Sequence, residues 1–151
     1  MTNCFRELGR TLVFLTPLVA GCGSNGPDLK PVYPVTGSVF VDGEAAKGAV
    51  VMFHPLPIQT GRFDMIRSRG TVNENGRFQL TTYQTDDGAP EGEYAVTIYW
   101  PGKRTGKPDP NDENSDLPPD RLGLRYNDPA TSKIRVQVTG PETSLESFEL
   151  D

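Results

Sequence analysis

The sequence predicts an all-β domain, a Greek-key β-sandwich of about seven short strands, preceded by an N-terminal export segment. Three observations carry this. Glycine and proline are abundant, 16 and 14 of 151 residues, a composition suited to short strands joined by many turns. Apolar residues alternate with polar ones at period two over several stretches, bounded by turn dipeptides. No stretch shows the 3.6-residue periodicity of an amphipathic helix.

The N-terminus has the three parts of an export signal. "MTNCFRELGR" supplies Arg6 and Arg10 as a positive region, and "TLVFLTPLVA", residues 11–20, is an apolar run interrupted by Pro17. A membrane-spanning helix needs about 20 apolar residues, so a cleaved secretory signal is the better reading. A short buried helix is disfavoured, because Gly21, Gly23, Ser24, Gly26 and Pro27 follow at once and cannot continue it.

The run ends "VAGC". This resembles the lipobox of bacterial lipoproteins: an apolar residue, a small one, Gly or Ala, then Cys. The resemblance implies cleavage between Gly21 and Cys22, a diacylglyceryl thioether on Cys22, and further acylation, by palmitate or a similar chain, of the new N-terminus. Each buried methylene adds about 0.8 kcal/mol of membrane affinity, and a single chain holds only marginally. Two or three chains make release negligible. Gly23, not Asp, follows the cysteine. In Gram-negative members of that family an Asp there favours inner-membrane retention, so the resemblance implies the outer membrane. Cleavage would remove Cys4 and acylation would occupy Cys22, which leaves no disulfide. Loss of Arg6, Glu7 and Arg10 takes the formal charge from −5 to −6. That acidity favours solubility, and the absence of a basic stripe argues against a nucleic-acid partner.

Residues 22–34, "CGSNGPDLKPVYP", read as a lipidated tether holding three prolines, about 45 Å long if extended and about 20 Å as a flexible coil. The domain is expected over residues 35–151. "VTGSVFVDGE" places Val35, Gly37, Val39 and Val41 on one side of a strand and turns at Asp42-Gly43. "AVVMFHP" puts Ala49, Val51 and Phe53 on one face and ends at Pro55 and Pro57. "RSRGTVNENGRFQLTT" reads as two strands around Asn75-Gly76, a hairpin signal, with Phe78 and Leu80 inward. "EGEYAVTIYW" alternates Tyr94, Val96, Ile98 and Trp100 against Ala95, Thr97 and Tyr99. Residues 101–120 have no apolar periodicity and form a loop longer than compact domains usually carry without purpose. "SKIRVQV" is the clearest strand, with Ile134, Val136 and Val138 inward. "SLESFELD" is the last, led by Phe148 and Leu150.

In this order the segments "VTGSVFVDGEAAKGAVVMFHP", "GTVNENGRFQLTTYQTDDGAPEGEYAVTI" and "LRYNDPATSKIRVQVTG" resemble the carboxypeptidase regulatory-like, transthyretin-like superfamily across residues 35–151. The resemblance implies a prealbumin-like sandwich. It implies no activity, because fold alone does not. In zinc carboxypeptidases such a domain is an accessory to the peptidase.

Little in the residues points to catalysis. His54 is the one histidine. A metal site needs companions and a serine nucleophile needs a base, so His54 reads as a polar residue at a strand end, and neither cofactor nor metal is expected. The transthyretin-fold hydrolases of 5-hydroxyisourate use several histidines and a "YRGS"-type terminus, where this sequence reads "FELD". An internal Lys–Asn isopeptide, found in related adhesin repeats, lacks both its residues. Asp109, Asp112, Glu113 and Asp116 crowd the long loop; their spacing differs from an EF-hand and favours a solvated loop over a calcium site. Tyr83, Tyr94, Tyr99, Trp100 and Tyr126 are candidates for a sugar-stacking surface, with core packing the default. Tyr94 and Trp100 share the apolar face, which leaves Tyr99 and Tyr126 as candidate contacts.

The expectation is therefore an exported, membrane-anchored lipoprotein acting as a non-catalytic structural or interaction module of the cell envelope. Its partner would be an envelope protein or polysaccharide, met through the loop of residues 101–120 with Asp109, Asp112 and Asp116. The alternative is an envelope carbohydrate-binding module.

Overall fold

The computed structural model describes residues 29–58, 67–103 and 117–151. They are all-β, with no helix among them. Eleven strands follow in order: β1 (Val32–Tyr33), β2 (Val35–Val41), β3 (Glu44–Ala45), β4 (Val50–Pro55), β5 (Ser68–Thr71), β6 (Arg77–Gln79), β7 (Ala89–Pro90), β8 (Gly92–Tyr99), β9 (Arg135–Val138), β10 (Thr143–Ser144) and β11 (Phe148–Leu150).

Two principal sheets share one core, an arrangement consistent with a β-sandwich. The first runs β5-β4-β8-β9, antiparallel throughout. The second is organised around β2. On one edge β2 pairs antiparallel with β3 and β6, and on the other it pairs parallel with β10 and β11. Thr36 faces Ser144 and Val39 faces Phe148, so the C-terminal segment carries one more residue than β2 over this stretch. That is a β-bulge, and the Ser38 and Ser147 hydroxyls bond across it at 2.7 Å.

The alternations place the core. Val35 and Val39 from β2, Phe78 from β6, Val51 and Phe53 from β4, and Val96 and Ile98 from β8 are all buried between the sheets. Each contributes about 1.5–3 kcal/mol of burial. Ile134 and Val136 pack partly against the same cluster and Val138 lies fully within it. Strand β8 departs from simple alternation: Ala95 and Thr97, on the face away from the core, are buried as well. His54 lies beside them, 6% exposed, its Nε2 2.8 Å from Thr97 Oγ1. Burial and then the Arg67 charge hold its pKa below the usual 6.5, which disfavours the charged imidazolium.

The turn at Asp42-Gly43 has φ of 50° and 79°, both positive as a two-residue type I′ hairpin requires. The Asn75-Gly76 turn is built differently. Only Gly76 has positive φ, 79°, and Asn73 Oδ1 accepts the N–H groups of Asn75 and Arg77. This turn carries the chain from one sheet to the other.

One reading needs correction. Residues 32–34 are not tether: Val32 and Tyr33 pair with Pro90 and Ala89, and the Pro34 carbonyl accepts the Thr143 N–H at 2.9 Å. The stretch 120–132 is built into the fold through Asp120. Asp120 accepts the N–H groups of Trp100, Leu122 and Leu124, which seats Leu122 in the core at 2% exposure.

Candidate functional site

A polar groove of about 640 Å³ crosses the seam where the two sheets meet, over β10, β2, β6 and β5. Its floor follows from strand alternation. Val35, Val39 and Phe78 turn inward, so Thr36 and Ser38 of β2 and Arg77 and Gln79 of β6 turn outward. The register sets Thr36 opposite Gln79 and Ser38 opposite Arg77. On β5, Ser68 is buried and Arg69 and Thr71 are exposed, with Arg69 opposite Thr81. Gly70 makes the seam possible: a Cβ there would lie 2.6 Å from the Gln79 carbonyl oxygen, so only glycine lets β5 and β6 approach this closely.

The ends of the groove are fixed by hydrogen bonds. With its Oδ1 committed to the backbone of the turn, Asn73 has only its amide N–H groups to offer. At the other end Thr81 Oγ1 accepts the Asp86 N–H at 2.9 Å. The neighbouring Asp87 carboxylate accepts from Thr82, Tyr83 and Gln84 at 2.7, 3.0 and 2.8 Å. Desolvation pushes the Asp87 pKa up, and the backbone N–H groups of Thr82, Gln84 and Tyr83 outweigh it and hold it below 3.8. Arg69, Arg77, Gln79 and Thr36 make no side-chain hydrogen bond to another described residue. The groove therefore offers two guanidiniums, amides and hydroxyls on rigid strands, with the single carboxylate of Asp86 at one end. It can supply charge and directional hydrogen bonds; among the described residues its lining pairs no nucleophile with a base. Among the described residues no three His, Cys, Asp or Glu side chains form a metal-binding group.

Of the residues singled out from the sequence, Tyr99 and Tyr126 do not line this groove. Tyr99, on the outer face of β8, donates its hydroxyl to the Pro118 carbonyl. Tyr126 rests against the core, and its hydroxyl donates to Asp151 Oδ1 at 2.7 Å. That bond, with some burial, raises the phenol's pKa. Each phenol is tied to the fold through its hydroxyl. Tyr94 and Trp100 belong to the core as expected; burial pushes Tyr94 to about 12. Trp100 donates to the Lys47 carbonyl at 3.0 Å under the Arg121 guanidinium. Gly21, Cys22, Asp109, Asp112 and Asp116 lie outside the described residues.

The groove residues were missed because no local pattern joins them. The available signal was the uniformly polar outward side of three strand segments, Thr36/Ser38, Arg69/Thr71 and Arg77/Gln79. Which strands would be neighbours was not readable.

Compared with protein-family models and with curated proteins, the chain matches none.

Proposed function

We propose that this chain is an exported lipoprotein, cleaved between Gly21 and Cys22 and held in the outer membrane by acyl chains on Cys22. Its domain, read as a transthyretin-like Greek-key sandwich, serves as a non-catalytic interaction module of the cell envelope. The observation that carries this reading is "VAGC" at the end of a short apolar run, ten residues before the first paired residue, Val32. Ten residues reach about 35 Å extended and about 17 Å as a coil, which keeps the domain at the membrane surface without embedding it.

The direction of the strands supports an outward-facing role. Strand β2 starts at Val35, beside Thr143, and β8 starts at Gly92, beside Val138. Both run toward the pole where Pro101 bridges Asp120. Pro101 and Asp120, which bound the long connection, thus lie at the pole opposite the start of β2.

The test is fractionation with acyl labelling. The wild-type chain should incorporate labelled palmitate and sediment with membranes, and Cys22→Ser should do neither. Equal partitioning of the two would end the lipoprotein reading. The polar groove favours a second reading, a carbohydrate-binding module, and that reading needs no assumption about the anchor.

A further inference from the structure

We propose that the groove over β2, β6 and β5 binds an acidic oligosaccharide, one whose sugar units carry carboxylates. The inference rests on the carbohydrate-binding reading above and specifies its ligand.

Charge comes first. The chain is formally −5, yet among the described residues the groove gathers Arg69 and Arg77 against one carboxylate, that of Asp86. A local positive site on an acidic molecule selects anions and repels nothing that it needs. A guanidinium meets a carboxylate through two parallel N–H bonds, the strongest hydrogen bonds available to a side chain. With Arg69 opposite Thr81 and Arg77 four residues away on the same strand segment, the two attachment points stand roughly 14 Å apart at ordinary strand spacings. That separation, in a groove of about 640 Å³, suits an elongated ligand with repeated anionic groups.

The remaining lining selects the class of polymer. Between the arginines lie Thr36, Gln79 and Thr71, with the Asn73 amide and the Ser144 hydroxyl at the margins. These groups match a ligand dense in hydroxyls. Among the described residues the one aromatic of the lining, Phe78, is 2% exposed and turned into the core, so these residues give a neutral sugar no ring to stack on. A peptide strand is disfavoured for a separate reason. Both edges of β2 are already paired, by β6 and β3 on one side and by β10 and β11 on the other. The backbone hydrogen bonds of β2, by which a sheet edge captures an extended peptide, are therefore spent, and an occupant lying over β2 meets side chains there.

The test is calorimetric titration of the full chain in detergent micelles with a galacturonate hexamer, its carboxyl-reduced counterpart, and a polyglutamate peptide of equal charge. Saturable binding of the galacturonate is expected, with the reduced hexamer and the peptide each at least about tenfold weaker, the loss that follows from one charge-assisted hydrogen bond. Arg69→Gln and Arg77→Gln should each weaken binding by about tenfold on the same grounds, while Lys133→Gln, away from the groove, should not. Thermal melts of the variants verify that they fold. Equal binding by the reduced hexamer would overturn the acidic-ligand inference and leave a carbohydrate module standing. Binding of no saccharide would overturn both. Unchanged affinity in both folded arginine variants, or equal binding of polyglutamate, would overturn the assignment of groove or ligand.

Discussion

Strands β4 and β8 pair over six consecutive residues, Val50–Pro55 against Tyr94–Tyr99. Strand β2, of similar length, pairs with no neighbour over more than three; two short partners share each of its edges. The first sheet is held by one long ladder and by burial that reaches both faces of β8. The second is held by a single strand collecting partners from distant parts of the chain, with Thr36, Ser38, Arg77 and Gln79 turned outward. One sheet supplies packing. The other supplies a surface whose outward residues are not needed to hold the fold, and such residues can be used for recognition.

The contrast can be tested by substitution. Phe53→Ala, in the middle of the long ladder and fully buried, should cost about 3–5 kcal/mol, read as a lowered urea midpoint. A loss below 1 kcal/mol would mean that the four-stranded sheet is not the main source of stability. Gly70→Ala addresses the seam between the sheets. Its new Cβ would press on the Gln79 carbonyl, a backbone group that cannot rotate away, and should cost about 1–3 kcal/mol. Because the strain falls under the groove floor, ligand binding should weaken too. Unchanged stability and binding would show that β5 and β6 are free to separate.

The smallest effect belongs to the loop that ends the groove. Asp87 has a folded pKa below 3.8, so its carboxylate contributes fully above 3.8 and its contribution is lost as pH falls through the lower folded value. Asp87→Asn should cost about 1 kcal/mol at neutral pH and should flatten the acid arm of the stability curve. Urea titrations of both proteins from pH 6 to pH 2 would show it; parallel curves would remove Asp87 from the account.

Much of this architecture could be read from local chemistry. The Asp42-Gly43 hairpin, the inward sets Ala49/Val51/Phe53 and Phe78/Leu80, and the alternation through Val138 all follow from period two and turn residues. What escaped was settled by distant partners. Val32 and Tyr33 sit in a proline-rich stretch that reads as a tether until Ala89 and Pro90 arrive to pair with them. Leu122 sits among turn residues with no period, and Asp120 seats it. Ala95 and Thr97 occupy the positions of an exposed face but are buried there beside His54. The groove is the extreme case. Its residues come from four strands, and its floor exists only once β5 and β6 have met.

The parallel pairing of β2 with β10 and β11 also bears on how the chain assembles. Val35 and Thr143 are neighbours in the sheet, although nearly the whole domain lies between them in sequence. Contacts of such separation are slow to form, because the intervening chain must be closed before they return any energy. During synthesis β2 emerges early and must keep one edge open until residues 143–150 appear. Residues 143–150 therefore act as a closing piece. A chain stopped after Val138 would keep every strand of the four-stranded sheet and would present β2 with a bare edge, the kind of surface on which unfinished copies join one another.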